Sequence, residues 1–130
     1  MKFKIISVLC FAFFLSLGCH KEDTQDGING QWSMVQASGG IAGFNQAYPK
    51  GKIIWKFEDN KISISNMYEG QLNFSFPTGN YNFQIVDEKD KSVLQINNDS
   101  YGKIEISNDS LTIDQSPFIS DGFFYTFVRL

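Results

Sequence analysis

The stretch Lys52-Ile53-Ile54-Trp55-Lys56-Phe57-Glu58-Asp59-Asn60-Lys61-Ile62-Ser63-Ile64-Ser65 decides the fold. Ile53, Trp55 and Phe57 alternate with Lys52, Ile54, Lys56 and Glu58, and past Asp59-Asn60 the rhythm resumes with Ile62 and Ile64 set between Lys61, Ser63 and Ser65. Successive side chains of a strand point to opposite faces, so an apolar period of two marks a strand with one dry face and one wet face. Asp and Asn tolerate the positive φ of a tight hairpin turn, and Asp59-Asn60 therefore predicts that the two runs pair antiparallel.

The same rhythm extends in both directions. Tyr81, Phe83 and Ile85 carry it, then Leu94 and Ile96, Ile104 and Ile106, and Leu111 and Ile113 on either side of the turn pair Asn108-Asp109. Strands are predicted over residues 31–37, 52–58, 61–66, 71–76, 80–86, 93–97, 103–107, 110–114 and 123–129, with inward residues running from Trp32 and Met34 in the first to Tyr125 and Phe127 in the last. No segment shows a helical apolar stripe. Short links between neighbouring strands favour a meander, and a meander loses its exposed edges by closing on itself. The prediction is an all-β chain: a single antiparallel up-and-down β-barrel of eight or nine strands. A length of 130 residues suits one such domain.

The first 18 residues read differently. Lys2 and Lys4 precede an apolar run from Ile5 to Leu17 that is broken only by Ser7 and Ser16. That run is shorter than the ~20 residues a membrane-spanning helix needs, and it fits the core of a secretory leader. Leu15-Ser16-Leu17-Gly18-Cys19 resembles a lipobox, in which a small residue precedes a cysteine that receives a diacylglyceryl group before cleavage. Ser16 stands where that pattern prefers Leu, and Ser16 with Gly18 also satisfies ordinary signal cleavage at the same bond. Cysteine usage fits lipidation: Cys10 leaves with the leader, Cys19 becomes the first mature residue, and no intrachain disulfide is available. His20-Lys21-Glu22-Asp23 follows, and Lys21, Glu22 and Asp23 resemble the surface-export tag of lipoproteins in one Gram-negative lineage; the alternative is a solvated, charged tether. The expected organisation is a leader over 1–18, a lipidated cysteine and polar tether over 19–29, and a barrel over 30–130. The expected address is the outer membrane, anchored through lipid on Cys19 and exposed at the cell surface.

Within the barrel, Gly30-Gln31-Trp32 resembles the Gly-x-Trp signature of lipocalins and their small bacterial relatives. A glycine-rich segment running from Ser38 to Tyr48-Pro49 follows it, and Phe123 to Arg129 is similar to the closing strand of bacterial lipocalin-like lipoproteins. The resemblance spans 30–130. It implies that Arg129 lies across Trp32 and plugs one end, an arrangement contributing about 0.5–2 kcal/mol as a cation–π contact; the alternative leaves Arg129 as a solvated strand end. It also implies a small apolar or amphipathic ligand, with Tyr48, Trp55, Phe57, Tyr81 and Phe83 as lining and the Gly39–Tyr48 loop as a lid.

Chemistry is otherwise sparse. Loss of Lys2 and Lys4 leaves nine basic against fourteen acidic side chains, a net −5 that disfavours nucleic acid. The lone histidine, His20, sits in the tether, so a Ser–His pair, a thiol centre and a zinc site all lack their residues, and the domain reads as non-enzymatic with no metal or cofactor. The glycines at 39, 40 and 43 lack the Lys-Ser/Thr of a phosphate loop. Val35, Ile54, Val86, Phe124 and Val128 fall on the outward parity, where a cluster would serve a cell-surface protein partner or a homodimer. Asp109-Ser110-Leu111 resembles an O-glycosylation sequon. Two functions remain: a ligand-binding lipocalin-like barrel, or a filled barrel acting as a surface scaffold or protein-interaction module.

Overall fold

A computed structural model describes residues 27–70 and 76–130. The leader, Cys19, Lys21, Glu22, Asp23 and all but Phe76 of the strand expected over 71–76 lie outside the described residues. Nine strands are described: β1 (Gly30–Gly39), β2 (Phe44–Ala47), β3 (Ile53–Glu58), β4 (Lys61–Asn66), β5 (Gly79–Glu88), β6 (Lys91–Ile96), β7 (Asp99–Ser107), β8 (Ser110–Asp114) and β9 (Phe123–Arg129). From β3 to β9 each strand pairs antiparallel with the next, and β1 pairs with both β3 and β9. Eight strands thus close into a ring. β2 is the extra one, laid on the upper half of β1.

Turn chemistry fixes the hairpins. Asp59-Asn60, Lys89-Asp90 and Asn97-Asn98 each place two successive residues at positive φ, and Asn108 adopts φ 52° in the fourth turn. Glu58 faces Lys61, Glu88 faces Lys91, Ile96 faces Asp99 and Ser107 faces Ser110, so each of these loops has two residues. Two of these turns differ from expectation. The sequence reading left 98–102 as a link before a strand at Lys103, whereas the Asn97-Asn98 pair turns the chain at once and β7 begins at Asp99. The predicted strands likewise leave 87–92 as a link, whereas Lys89-Asp90 makes a tight turn between Glu88 and Lys91.

The predicted inward residues form one core: Trp32, Met34, Ile53, Trp55, Phe57, Ile62, Ile64, Phe83, Leu94, Ile96, Ile104, Leu111, Ile113, Tyr125 and Phe127 are buried, with Tyr81, Ile85 and Ile106 packed half-buried against them. Two bulges interrupt the alternation. The β1–β9 register slips between Met34 and Gln36, which turns Ala37 inward. The β6–β7 register slips beside Leu94, leaving Tyr101 as an extra residue on β7. A bulge bends its strand and re-aims a side chain.

At one end Arg129 closes the ring. Its guanidinium carbon lies 4.1 Å from the centroid of the Trp32 ring. The folded chain also reaches back beyond Gly30: Ile28 is fully buried, so the polar tether ends sooner than expected. Three consecutive carbonyls of that segment are taken. Arg129 Nη2 donates to Gly27 O at 2.8 Å, Trp32 Nε1 to Ile28 O at 2.7 Å and Arg129 Nη1 to Asn29 O at 3.1 Å. Gly30, at φ 125°, is the residue the geometry demands, because a Cβ there would stand 3.1 Å from Arg129 Nη1. The Gly-x-Trp motif therefore has a mechanical meaning: its glycine makes room for the arginine that covers its tryptophan.

Candidate functional site: an aromatic chamber in the upper barrel

Away from Arg129, the interior is built from rings. Trp55 on β3 lies 5.2 Å from Phe127, 5.9 Å from Tyr101, 6.2 Å from Phe57 and 6.4 Å from Phe76, centroid to centroid. Phe76 in turn lies 4.8 Å from Tyr81 and 5.2 Å from Tyr101, and Tyr101 stacks on Tyr125 with planes 3° apart. Tyr48 meets Tyr68 edge to face at 5.1 Å. Edge and offset contacts of this kind contribute about 0.5–1.5 kcal/mol each beyond area burial.

The polar tips of these rings are unequally served. Tyr81 Oη donates to Pro77 O at 2.8 Å, and Tyr125 Oη donates to Gln115 Oε1 at 3.3 Å. Trp55 Nε1 is buried and has no hydrogen-bond partner among the described residues; Tyr101 Oη, also buried, makes no well-aligned hydrogen bond there, although the Tyr125 hydroxyl is close enough to interact with it. A buried donor left in this state costs about 1–3 kcal/mol, so each is a place where an incoming acceptor gains more than elsewhere. The bulge creates one of them: the extra residue in β7 directs Tyr101 into the chamber. Its neighbour Gly102 is confined, since a Cβ there would stand 2.7 Å from Ile113 Cγ2 and 3.0 Å from Asp114 O.

Burial also holds the phenols neutral. Tyr48 is pushed up to about 12 by burial and then by Tyr68. Tyr125 is likewise raised to about 12, by burial first, with the nearby Tyr101 hydroxyl opposing and Tyr48 adding. Tyr101 is raised further, again by burial first and then by Tyr125. At neutral pH the chamber therefore presents hydroxyls and an indole N–H without formal charge.

Of the five residues expected to line a ligand, Trp55 and Tyr81 border this chamber through Phe76, and Tyr48 belongs to the same buried core, packed edge to face on Tyr68. Phe57 and Phe83 pair edge to face at 5.1 Å, and Phe57 faces Gly30 across β1 and β3, at the level of the closed end. The lid also takes another form. Gly39–Tyr48 is largely a hairpin, with Gly39 facing Phe44, Gln36 facing Ala47, and Tyr48 N donating to Val35 O at 2.8 Å. Phe44 meets Phe123 edge to face at 5.9 Å, which fastens the hairpin to β9. Tyr101 and Phe76 were absent from the expected lining. The sequence signal for Tyr101 is the glycine after it, since an isolated glycine in a strand pattern marks a bulge or close backbone approach.

Outside the barrel, Phe124 is the only exposed member of the outward apolar set; Val35, Ile54, Val86 and Val128 are half-buried, Ile54 and Val128 flanking the buried Ser33. Ile41, Met67, Phe118 and Ile119 are exposed in loops at the end opposite Arg129. No family model, curated protein or solved structure matches this chain. What the geometry establishes is a closed antiparallel barrel compatible with a lipocalin-like scaffold.

Proposed function

We propose that this chain is an outer-membrane lipoprotein, anchored through Cys19 and displayed at the cell surface, whose lipocalin-like barrel binds one small amphipathic molecule in the aromatic chamber. The address rests on the leader, the lipobox resemblance and the lone mature cysteine. Ligand binding rests chiefly on one observation: Trp55 Nε1, on a ring 5.9 Å from that of Tyr101, is buried among apolar rings with no partner among the described residues. A ligand suited to that shell is apolar in bulk and carries an oxygen acceptor. No catalytic role is assigned to any residue.

The test uses the segment from residue 19 carrying Cys19→Ser, which retains every described residue and avoids detergent. Titration with N-phenyl-1-naphthylamine is expected to give saturable, micromolar binding with quenching of Trp55 fluorescence. Trp55→Phe keeps an aromatic ring while removing the N–H and the five-membered half of the indole; it is expected to weaken an acceptor-bearing competitor such as decanol by at least about fivefold, the equivalent of one hydrogen bond. Absence of saturable binding would transfer support to a filled barrel acting as a surface scaffold. That second reading draws on the exposed apolar residues Ile41, Met67, Phe118, Ile119 and Phe124, side chains of the kind that meet a partner protein or a second copy.

A further inference from the structure

β5 is shared between two partners. Its first half, Gly79–Asn82, pairs with β4, and its second half, Phe83–Glu88, pairs with β6. Successive residues of an antiparallel strand turn their backbone groups toward opposite neighbours. Phe83 N donates to Asn60 O and Asn97 N to Asn82 O, both at 2.9 Å, so Tyr81 and Phe83 bond toward β4 while Asn80 and Asn82 face the β6 side. β6 ends at Ile96 and the chain turns over Asn97-Asn98, so the N–H and C=O of Asn80 meet no strand there. The gap is an open depression of about 410 Å³ on the outer wall, lined by Lys61, Asn80, Tyr81, Asn82 and Asn97. The Tyr81 ring turns inward onto Phe76, and the depression is a surface site separate from the aromatic chamber.

Its lining is made of amides and one ammonium. Lys61, Asn82 and Asn97 follow one another in a row across β4, β5 and the end of β6. Asn97 Oδ1 accepts from Asn82 N at 3.2 Å, and Asn80 Oδ1 accepts from Ser63 Oγ at 2.6 Å, which leaves both NH2 groups to donate elsewhere. The Asn82 amide adds a donor and an acceptor. Lys61 forms no ion pair with a described carboxylate; Glu58, which faces it across the β3–β4 turn, is bonded to Lys56 instead. No Asp or Glu lines the depression. Donors and acceptors thus stand together on a wet surface, and the donors are in excess.

We infer that this depression is a second binding site, for an acidic saccharide: the Asn80 backbone and the Asn80, Asn82 and Asn97 amides take ring hydroxyls, and Lys61 takes the carboxylate of a uronate. A sugar hydroxyl donates and accepts at once, which is what a mixed set of backbone and carboxamide groups can answer. The excess of donors, one of them charged, selects for an anionic substituent. The site is hydrophilic and stands on the outer wall, so it neither uses the chamber nor depends on the chamber's ligand.

Glucuronate, glucose and acetate, titrated separately against the Cys19→Ser segment at low salt and followed by amide chemical shifts, test the assignment. Glucuronate is expected to saturate in the millimolar range with shifts centred on Lys61, Asn80, Asn82 and Asn97. Glucose should bind the same amides about fivefold more weakly, and raising the salt should close that gap. Lys61→Gln is expected to bring glucuronate down to the level of glucose, and Asn82→Ala to weaken both sugars. An unmoved Trp32 indole resonance checks that each variant is folded. Acetate binding as well as glucuronate would reduce the site to a lysine counter-ion and overturn the proposal. So would sugars that leave these amides unmoved, equal binding of the two sugars, or parental glucuronate affinity in both variants.

Discussion

Two adjoining regions of the barrel interior handle polar atoms in opposite ways. At the Arg129 end, the guanidinium, the Trp32 indole and three carbonyls from Gly27 to Asn29 are all engaged. In the chamber, the N–H of a second tryptophan is buried with no partner among the described residues. Trp32 and Trp55 face each other directly across β1 and β3, yet the first is a satisfied strut and the second an unsatisfied donor among the described residues. Satisfied buried networks rigidify, and unsatisfied ones mark sites that tolerate a stability cost for another purpose. The contrast separates a satisfied plug from the region to which ligand binding is proposed above.

The largest blow to this comparison should come from Arg129→Ala. It removes two charge-assisted hydrogen bonds and the cover over Trp32, and is expected to cost about 3 kcal/mol in urea unfolding; Arg129→Lys should recover only part, because an ammonium cannot span two carbonyls and a ring together. Gly30→Ala should follow at about 1–2 kcal/mol, combining an unfavourable φ with pressure on the guanidinium. A neutral result for either would sink the view of this end as a structural plug.

The chamber predicts the reverse sign. Tyr48 and Tyr125 have folded-state values near 12 against an ordinary 10, so the native state holds protons that the unfolded chain releases. Their contribution is present below pH 10 and is lost as pH rises from 10 toward 12. Urea midpoints should be flat from pH 7 to 9 and fall steeply above 10, with tyrosinate absorbance rising in step with unfolding rather than before it. The smallest effect belongs to Tyr101→Phe, which deletes a hydroxyl with no well-aligned hydrogen bond among the described residues: stability should stay within about 0.5 kcal/mol of the parent or increase, while affinity for an acceptor-bearing ligand falls. A loss of 2 kcal/mol there would show that the hydroxyl is satisfied in solution.

How far the sequence reached follows from what is local. Alternation around Trp55 and the Asp59-Asn60 turn depends on neighbours within a few residues, and both were legible. Arg129 over Trp32 was legible only through family resemblance, since nothing local joins residues so far apart. The bulges at Val35 and Tyr101 were hidden because each slips the register against a partner strand, and alternation along a single strand does not reveal its partner's phase. The Asn-lined depression was hidden for a related reason: Asn80, Asn82 and Asn97 read as ordinary outward and turn residues until the stagger of β5 between β4 and β6 sets them around Lys61. β2 was missed because Phe44-Asn45-Gln46-Ala47 carries little alternation and is held by β1 alone.

Gly27 and Arg129, joined by a hydrogen bond, stand 102 positions apart. A chain that emerges N-terminus first during synthesis exposes β1 long before β9, and the earlier strand waits with one edge open and its indole uncovered. Sealing of the hoop is therefore timed by the arrival of the last strand, and chaperones have the whole interval in which to hold it.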